Sequence, residues 1–282
     1  MREFKLSGFA DEIDDDFEKQ CLSLRTLGMD YIALRSIGHK NILDFTVEEF
    51  KQDVYPILCK YNLRVSSIGS PVGKVSIHDE EAQESQLGKL DHLIQIMLLL
   101  NTRYLRIFSL YTKSHHEEDL KRVVSFIKRV MARVEHHNII VLHENEKDIY
   151  GDRVRFCEEI VMNVNHPQFM VAFDPANFVQ VGDDPMVAFN QLKSRIADFH
   201  LKDAVYGSGD NVLIGSGDGK ILSLLAALKS MSYDGFYTLE PHLYKFQYLS
   251  KLESNREDKM RYEDGFQAFK ASQKAFFHLF QK

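Results

Sequence analysis

Ionisable and polar residues follow four consecutive apolar segments in the second half of the chain. These stretches read HENE at 143–146, DPAN at 174–177, HLKD at 200–203 and EPH at 240–242. Burying such groups costs several kcal/mol unless they are paired or bound to a metal. Two glutamates, an aspartate and an imidazole form an oxygen-rich donor set that suits Mn²⁺, Mg²⁺ or Co²⁺ and accepts Zn²⁺. We therefore predict one divalent metal ion at these segment ends, with Mn²⁺ as the first expectation.

The four stretches belong to a longer series of strand-like segments. Short apolar or β-branched runs occur eight times, at 4–10, 31–35, 63–70, 104–109, 139–145, 169–177, 196–203 and 236–242. The intervening stretches carry apolar residues at helical spacing, as in 17–27, 79–100, 120–134 and 264–280. Strand and helix therefore alternate, which predicts a parallel sheet.

Eight strand–helix units in 282 residues match a closed (β/α)₈ TIM barrel that forms a single domain over residues 1–282. An open doubly wound sheet is the alternative, but the first strand leads into GFADEIDDD rather than a glycine-rich GxGxxG turn. Catalytic residues of such barrels lie where the strands end. The third and fourth strands end in serines and Arg106, so the predicted ligands occupy one half of the barrel mouth. The polar stretch 244–263 is expected to form an excursion before the last helix.

Each acidic residue also has a simpler interpretation. An Asp or Glu after a strand often caps the next helix, and we expect that role for Asp183 and Asp203. Recurrence on four successive strands favours a shared site for the others. The first stretch offers either Glu144 or Glu146, because residues two apart on a strand point the same way. Lys74 is expected to be an exposed loop residue, and the glycines of GSGDGK at 215–220 to form turns.

Composition narrows the class of partner. The formal net charge is −6, with 44% hydrophobic and 27% charged residues, and no strip of clustered Lys and Arg that nucleic-acid binding needs. No apolar run approaches the roughly 18 residues of a membrane span, so we expect a cytoplasmic protein without membrane contact. Cys21, Cys59 and Cys157 lack CxxC spacing and are expected to be small core residues.

Five motifs together resemble one known family. HEN at 143–145, DPAN at 174–177, FHLKD at 199–203, GSGDGKI at 215–221 and YDGFYTLE at 233–240 are similar to the sugar phosphate isomerase/epimerase family of xylose isomerase-like barrels. The resemblance covers nearly the whole chain. That family includes ketose 3-epimerases, hydroxypyruvate isomerases and inosose dehydratases.

The resemblance implies a role for each matching position. Glu144, Asp174, His200 and Glu240 would coordinate one divalent metal, and Glu144 and Glu240 would also be the catalytic acid/base pair for proton transfer through an enediolate. The resemblance also favours Glu144 over Glu146 as the metal ligand. The predicted substrate contacts come from four further residues: Lys202, Asn177, Arg106 and Glu146.

Two positions depart from the family pattern. Asn177 stands where relatives often carry a histidine that contacts substrate, and an amide cannot titrate near neutrality. Ala33 lies where many relatives carry a glutamate near the end of the second strand.

The leading hypothesis is a metal-dependent isomerase or epimerase of a small sugar or sugar derivative. A lyase like the inosose dehydratases is the alternative on the same metal site, with Lys202 as a candidate base. DNA repair of the AP-endonuclease type is remote, because Ser66, Ser67, Ser109 and Asn177 occupy regions where those enzymes need histidines. A sugar-binding barrel without catalysis is a further class, and a homo-oligomer is left open.

Overall fold

The computed structural model of the protein describes residues 4–244 and 262–282. All eight predicted strands form one parallel sheet, and their ends lie within about two residues of the predicted bounds in most cases. The strands are β1 Lys5–Gly8, β2 Tyr31–Leu34, β3 Arg64–Gly69, β4 Tyr104–Ile107, β5 Ile140–Glu144, β6 Phe169–Phe173, β7 Ile196–Leu201 and β8 Phe236–Leu239.

The sheet closes into a barrel. Each strand pairs in parallel with its neighbour from β2 to β8, and β8 pairs with β1, so that Leu239 lies opposite Gly8. A parallel bridge between Phe9 and Ala33 joins β1 to β2 and completes the circle. The predicted (β/α)₈ fold class is therefore confirmed. Because β1 pairs with β8 and bridges β2, the residues that follow these three strands meet at one seam of the mouth.

Helices cover the outside of the barrel. Within the described residues the α-helices are α1 Phe17–Thr26, α2 Val47–Glu49, α3 Tyr55–Lys60, α4 Glu80–Gly88, α5 Leu90–Leu100, α6 Glu117–Val134, α7 Val154–Val164, α8 Pro175–Gln180, α9 Pro185–Leu192, α10 Ile221–Ser230 and α11 Gly265–Phe280. A π-helical segment, Phe50–Val54, connects α2 to α3. The predicted helix at 79–100 is two helices with a break at Lys89. Within residues 4–244 and 262–282, no helix has both the length and the apolarity that a bilayer crossing requires.

The barrel interior changes character along its axis. Aromatic rings fill the end where the strands begin, with Phe236 in edge-to-face contact with Tyr31 and Tyr104. Small polar side chains follow, and the hydroxyls of Ser7 and Ser66 lie 2.5 Å apart. Charged side chains gather at the end where the strands finish. The interior is thus closed at one end and polar at the other, as a barrel with its chemistry at the mouth requires.

Four expectations about single residues were wrong. Asp183 does not cap the helix that follows it: Asp184 caps α9, and the Asp183 carboxylate accepts the backbone N–H of Val154. Asp203 does not cap a helix: its carboxylate accepts the backbone N–H groups of Ala204 and of three glycines in the GSGDGK loop. Lys74 is not an exposed loop lysine, because its side chain is 10% exposed and pairs with Glu146. Cys59 is exposed on the outer side of α3, whereas Cys21 and Cys157 are buried.

Two expectations concerned loops, the GSGDGK turns and the excursion at 244–263. The glycines of GSGDGK form turns that lead into α10, as predicted. Most of the stretch 244–263, predicted as an excursion, lies outside the described residues.

Candidate metal centre

The four residues predicted to share an ion lie together at the mouth. Glu144, Asp174, His200 and Glu240 each offer one ligand atom, and these atoms all lie within 4.8 Å of one another. His200 Nδ1 is central to the group: it lies 2.9 Å from Glu240 Oε2, 3.2 Å from Glu144 Oε1 and 4.0 Å from Asp174 Oδ2. All four side chains are almost completely buried.

Asp174 serves two purposes at once. Its Oδ1 accepts the backbone N–H groups of Ala176 and Asn177 and so caps α8, which Pro175 begins. Its Oδ2 faces His200 and Lys202 instead. The side chain of Asn145 holds this turn by exchanging two hydrogen bonds with the Asp174 backbone. The cap therefore fixes the direction of the second oxygen.

The donor set fits a divalent cation. Glu144 Oε2, Asp174 Oδ2, His200 Nδ1 and Glu240 Oε2 are buried and make no hydrogen bond within the described residues, although ion-pair contacts surround them. Two ligands of one ion can be at most about 4–5 Å apart, because metal–oxygen and metal–nitrogen bonds are about 2.0–2.5 Å long. The four ligand atoms lie within 4.8 Å of one another and so satisfy this limit. A cation bound by all four groups would satisfy atoms that are otherwise without hydrogen bonds.

The charges of the group are mutually perturbed. Burial raises the pKa of Asp174 to about 6, against the opposing effect of Lys202. Burial would also raise the pKa of Glu144, but Arg106 and His200 hold it below its ordinary value. The carboxylates of Glu144 and Glu240 raise the pKa of His200 well above its ordinary value despite its burial. A proton on His200 compensates carboxylate charge here, which is the electrostatic task a metal ion would take over.

The predicted substrate contacts surround one side of this group. Arg106 Nη1 lies 2.9 Å from Glu144 Oε2, and the guanidinium lies over the rings of Phe9 and Phe108. Lys202 Nζ lies 3.3 Å from Asp174 Oδ2 and donates to Asn177 Oδ1 at 2.9 Å.

Glu146 lies beside the group and does not join it. It pairs with Lys74 at 3.3 Å, and Lys74 and Lys202 hold its pKa at about 2 although burial opposes this.

Sequence reasoning missed several residues of the mouth. Arg35 follows β2 and contacts Asp11, Glu12 and Glu240, which lie in distant parts of the sequence. Asp198 lies behind His200, with its Oδ2 3.9 Å from Nε2. Strand alternation could have found Asp198, because it is two residues before His200 and shares its face. No local signal identified the contacts of Arg35.

Comparison with known proteins identifies the family. A family model described as xylose isomerase-like TIM barrel matches residues 22–271. The chain belongs to this family. Among curated proteins, the 3-dehydroshikimate dehydratase of Bacillus anthracis is 24% identical over 122 residues, which are 43% of this chain and 44% of that protein. The matched region thus spans less than half the length of that relative.

Solved structures share the whole barrel. A D-allulose 3-epimerase from Methylomonas sp. has a TM-score of 0.76 at 16% identity, with 98% of each chain covered. A probable 3-DHS dehydratase from Bacillus anthracis has a TM-score of 0.74 at 17% identity, covering 97% of this chain and 99% of that one. The IOLI protein, solved with a zinc atom, has a TM-score of 0.76 at 18% identity, covering 99% and 98%. At these identities the likeness establishes the fold.

Proposed function

We propose that the protein is a divalent-metal-dependent isomerase or epimerase of a small sugar or sugar derivative. The observation that carries this proposal is that Glu144 and Glu240 come from the first and the last of the four neighbouring strands that supply the group, on β5 and after β8. Moving a proton to a neighbouring carbon, or to the opposite face of the same carbon, needs two acid/base groups around one substrate. Membership of the xylose isomerase-like family and the likeness to a D-allulose 3-epimerase support this class.

The chain's own residues divide the work in the proposed reaction. When bound, a divalent ion would polarise the substrate carbonyl and the adjacent hydroxyl and so stabilise the negative charge of an enediolate. One of Glu144 and Glu240 removes the α-proton and the other returns a proton. Each of these glutamates has a guanidinium beside it, Arg106 at 2.9 Å for Glu144 and Arg35 at 2.6 Å for Glu240. The neighbouring guanidinium stabilises the ionised form of the glutamate that removes the proton, whereas the other glutamate must hold a proton before it can return one.

The remaining predicted residues would orient the substrate. Lys202 and Asn177 form one hydrogen-bonded pair beside Asp174, so a substrate hydroxyl would meet both an ammonium and an amide. Glu146 would keep its charge near neutral pH because of Lys74, and it can accept from a sugar hydroxyl.

Solvent isotope exchange tests this proposal. We would incubate the protein with Mn²⁺ and a panel of ketoses in D₂O and look for deuterium retained at carbon in a sugar product. Glu144→Gln and Glu240→Gln should each lower turnover by at least about 100-fold. Glu117→Gln is the matched control, because that carboxylate is exposed at the start of α6. Full turnover in both site variants would contradict the acid/base assignment.

A lyase is the second candidate, and one observation favours it. The guanidinium of Arg106 is buried, and its Nε has no hydrogen-bond partner within the described residues. Such a donor suits a carboxylate on a substrate that loses a β-hydroxyl after its α-proton. The similarity to a 3-dehydroshikimate dehydratase supports this reading. An ultraviolet absorbance from a new carbon–carbon double bond, with no isomeric sugar formed, would favour the lyase.

The other sequence-based expectations remain predictions. They are a single domain over 1–282, a cytoplasmic location, no nucleic-acid or membrane partner, and Mn²⁺ as the ion. Assembly into a homo-oligomer is also left open. DNA cleavage at abasic sites would revive the repair alternative.

A further inference from the structure

Arg35 lies at the barrel seam between carboxylates from two other strand ends. Its Nε and Nη2 contact the two oxygens of Asp11 at 2.8 and 2.9 Å, and its Nη1 lies 2.6 Å from Glu240 Oε1. Nη2 also lies 3.3 Å from Glu12 Oε1. The side chain is 2% exposed, and the Phe9 ring lies 4.6 Å from the guanidinium. One permanent cation thus serves three buried carboxylates.

A second group of metal-capable residues surrounds this guanidinium. Glu12, Glu240 and His242 each offer a ligand atom within 4.8 Å of the others. The His242 backbone N–H donates to Glu12 Oε2 at 2.8 Å, and His242 has a φ of 48°, which is uncommon for a residue with a side chain. The group is therefore held in place by the backbone as well as by its charges.

Glu240 belongs to both groups and uses a different oxygen in each. Its Oε2 lies 2.9 Å from His200 Nδ1 in the four-residue group, and its Oε1 lies 2.6 Å from Arg35 Nη1 and 3.4 Å from His242 Nε2. A carboxylate that divides its oxygens in this way has the geometry that bridges two metal ions in binuclear sites. In this chain, the cation on the second side is a guanidinium.

We propose that Arg35 takes the place of a second divalent cation. It holds Oε1 of Glu240, leaves Oε2 for the four-residue group, and limits the mouth to one bound ion. Its bidentate contact with Asp11 fixes the guanidinium plane, because Arg presents its donors as a rigid fork. This inference rests on the proposed metal site, and it assigns Arg35 a positioning role towards Glu240.

Metal stoichiometry tests the inference without any activity assay. Protein treated with EDTA would be titrated with Mn²⁺ by calorimetry, and the bound metal would be counted by elemental analysis after dialysis. Wild type should bind one ion per chain. Arg35→Met should bind two, and Arg35→Met combined with Glu12→Gln should return to one, because the second group then lacks a ligand. Circular dichroism would establish that each variant is folded.

Arg35→Lys keeps the test decisive if Arg35→Met does not fold. The ammonium retains the charge but cannot hold Asp11 and Glu240 in one planar fork. It should bind one ion, about tenfold more weakly than wild type. Folded Arg35→Met that binds one ion, at any affinity, would overturn the inference, as would Arg35→Lys with two ions or with wild-type affinity. If wild type bound no ion, the proposed metal site itself would fail, which is a different result.

Discussion

Replacing Asp198 with asparagine would test whether a buried carboxylate orients the imidazole of His200. Asp198 Oδ2 lies 3.9 Å from His200 Nε2, and Thr238 Oγ1 donates to Asp198 Oδ1 at 2.6 Å. Histidines that bind metals through one ring nitrogen commonly present the other N–H to a carboxylate, which fixes the tautomer and the ring orientation. Here that arrangement would leave Nδ1 as the metal-binding atom. Asparagine keeps the shape of the side chain and removes its charge.

The distance sets the size of the expected effect. Two unit charges 3.9 Å apart interact by about 4 kcal/mol at an effective dielectric constant of 20. The N–H of a neutral imidazole carries only part of a charge, so we expect a loss of about 1.4–2.7 kcal/mol in metal binding. That loss corresponds to a Kd about 10- to 100-fold weaker.

Calorimetric titration of Mn²⁺ into EDTA-treated protein would measure this change. Ser67→Ala is a matched control, because the buried Ser67 hydroxyl makes no hydrogen bond in the described part of the chain. Its removal should leave Kd within about twofold. If Asp198→Asn bound Mn²⁺ as tightly as wild type while His200→Asn lost binding, the orienting role of Asp198 would be refuted.

Three further predictions concern other buried groups. Lys202→Met should lower kcat about 100-fold, because the substrate loses an orienting contact. Mn²⁺ binding should not weaken, since the variant removes a cation 3.3 Å from Asp174; equal losses in steady-state kinetics and calorimetry would contradict this. Burial lowers the pKa of His143 from 6.5 to about 4, so the unfolded chain binds the extra proton between these values. His143 should therefore contribute a fall of roughly 1.4 kcal/mol per pH unit to the free energy of unfolding as the pH decreases through that window, a contribution that the raised pKa of Asp174 opposes. In urea titrations the slope of His143→Leu should differ from the wild-type slope by about this amount, and equal slopes would disprove the assignment. Asp203→Asn should cost about 2–4 kcal/mol of stability, because the carboxylate accepts four backbone N–H groups around the glycine loop; an unaltered thermal melt would count against it.

The parts of the site that the sequence predicted share one property: each carries its signal locally. A ligand such as Asp174 follows a short apolar run directly, and the parallel register then brings the strand ends together. Asp198 also carries a local signal, because it lies two residues before His200 and side chains two apart on a strand share a face.

The parts that were missed depend on contacts between distant residues. Arg35 and Glu240 are 205 positions apart and meet only because the barrel closes between β1 and β2. Lys74 was expected in solvent because nothing near it in the sequence indicates its partners. In the structure its ammonium lies over the Phe108 ring and pairs with Glu146, which is 72 positions away. Ion pairs between residues on distant strands of the closed sheet could therefore be identified only in the folded structure.

An anomalous difference map from a crystal soaked in Mn²⁺ is the most direct test of the central claim. We expect one strong peak per chain, with Glu144, Asp174, His200 Nδ1 and Glu240 all within about 2.0–2.5 Å of it. Absence of a peak at full soaking, or a peak bound by other residues while these four side chains remain apart from it, would contradict the account.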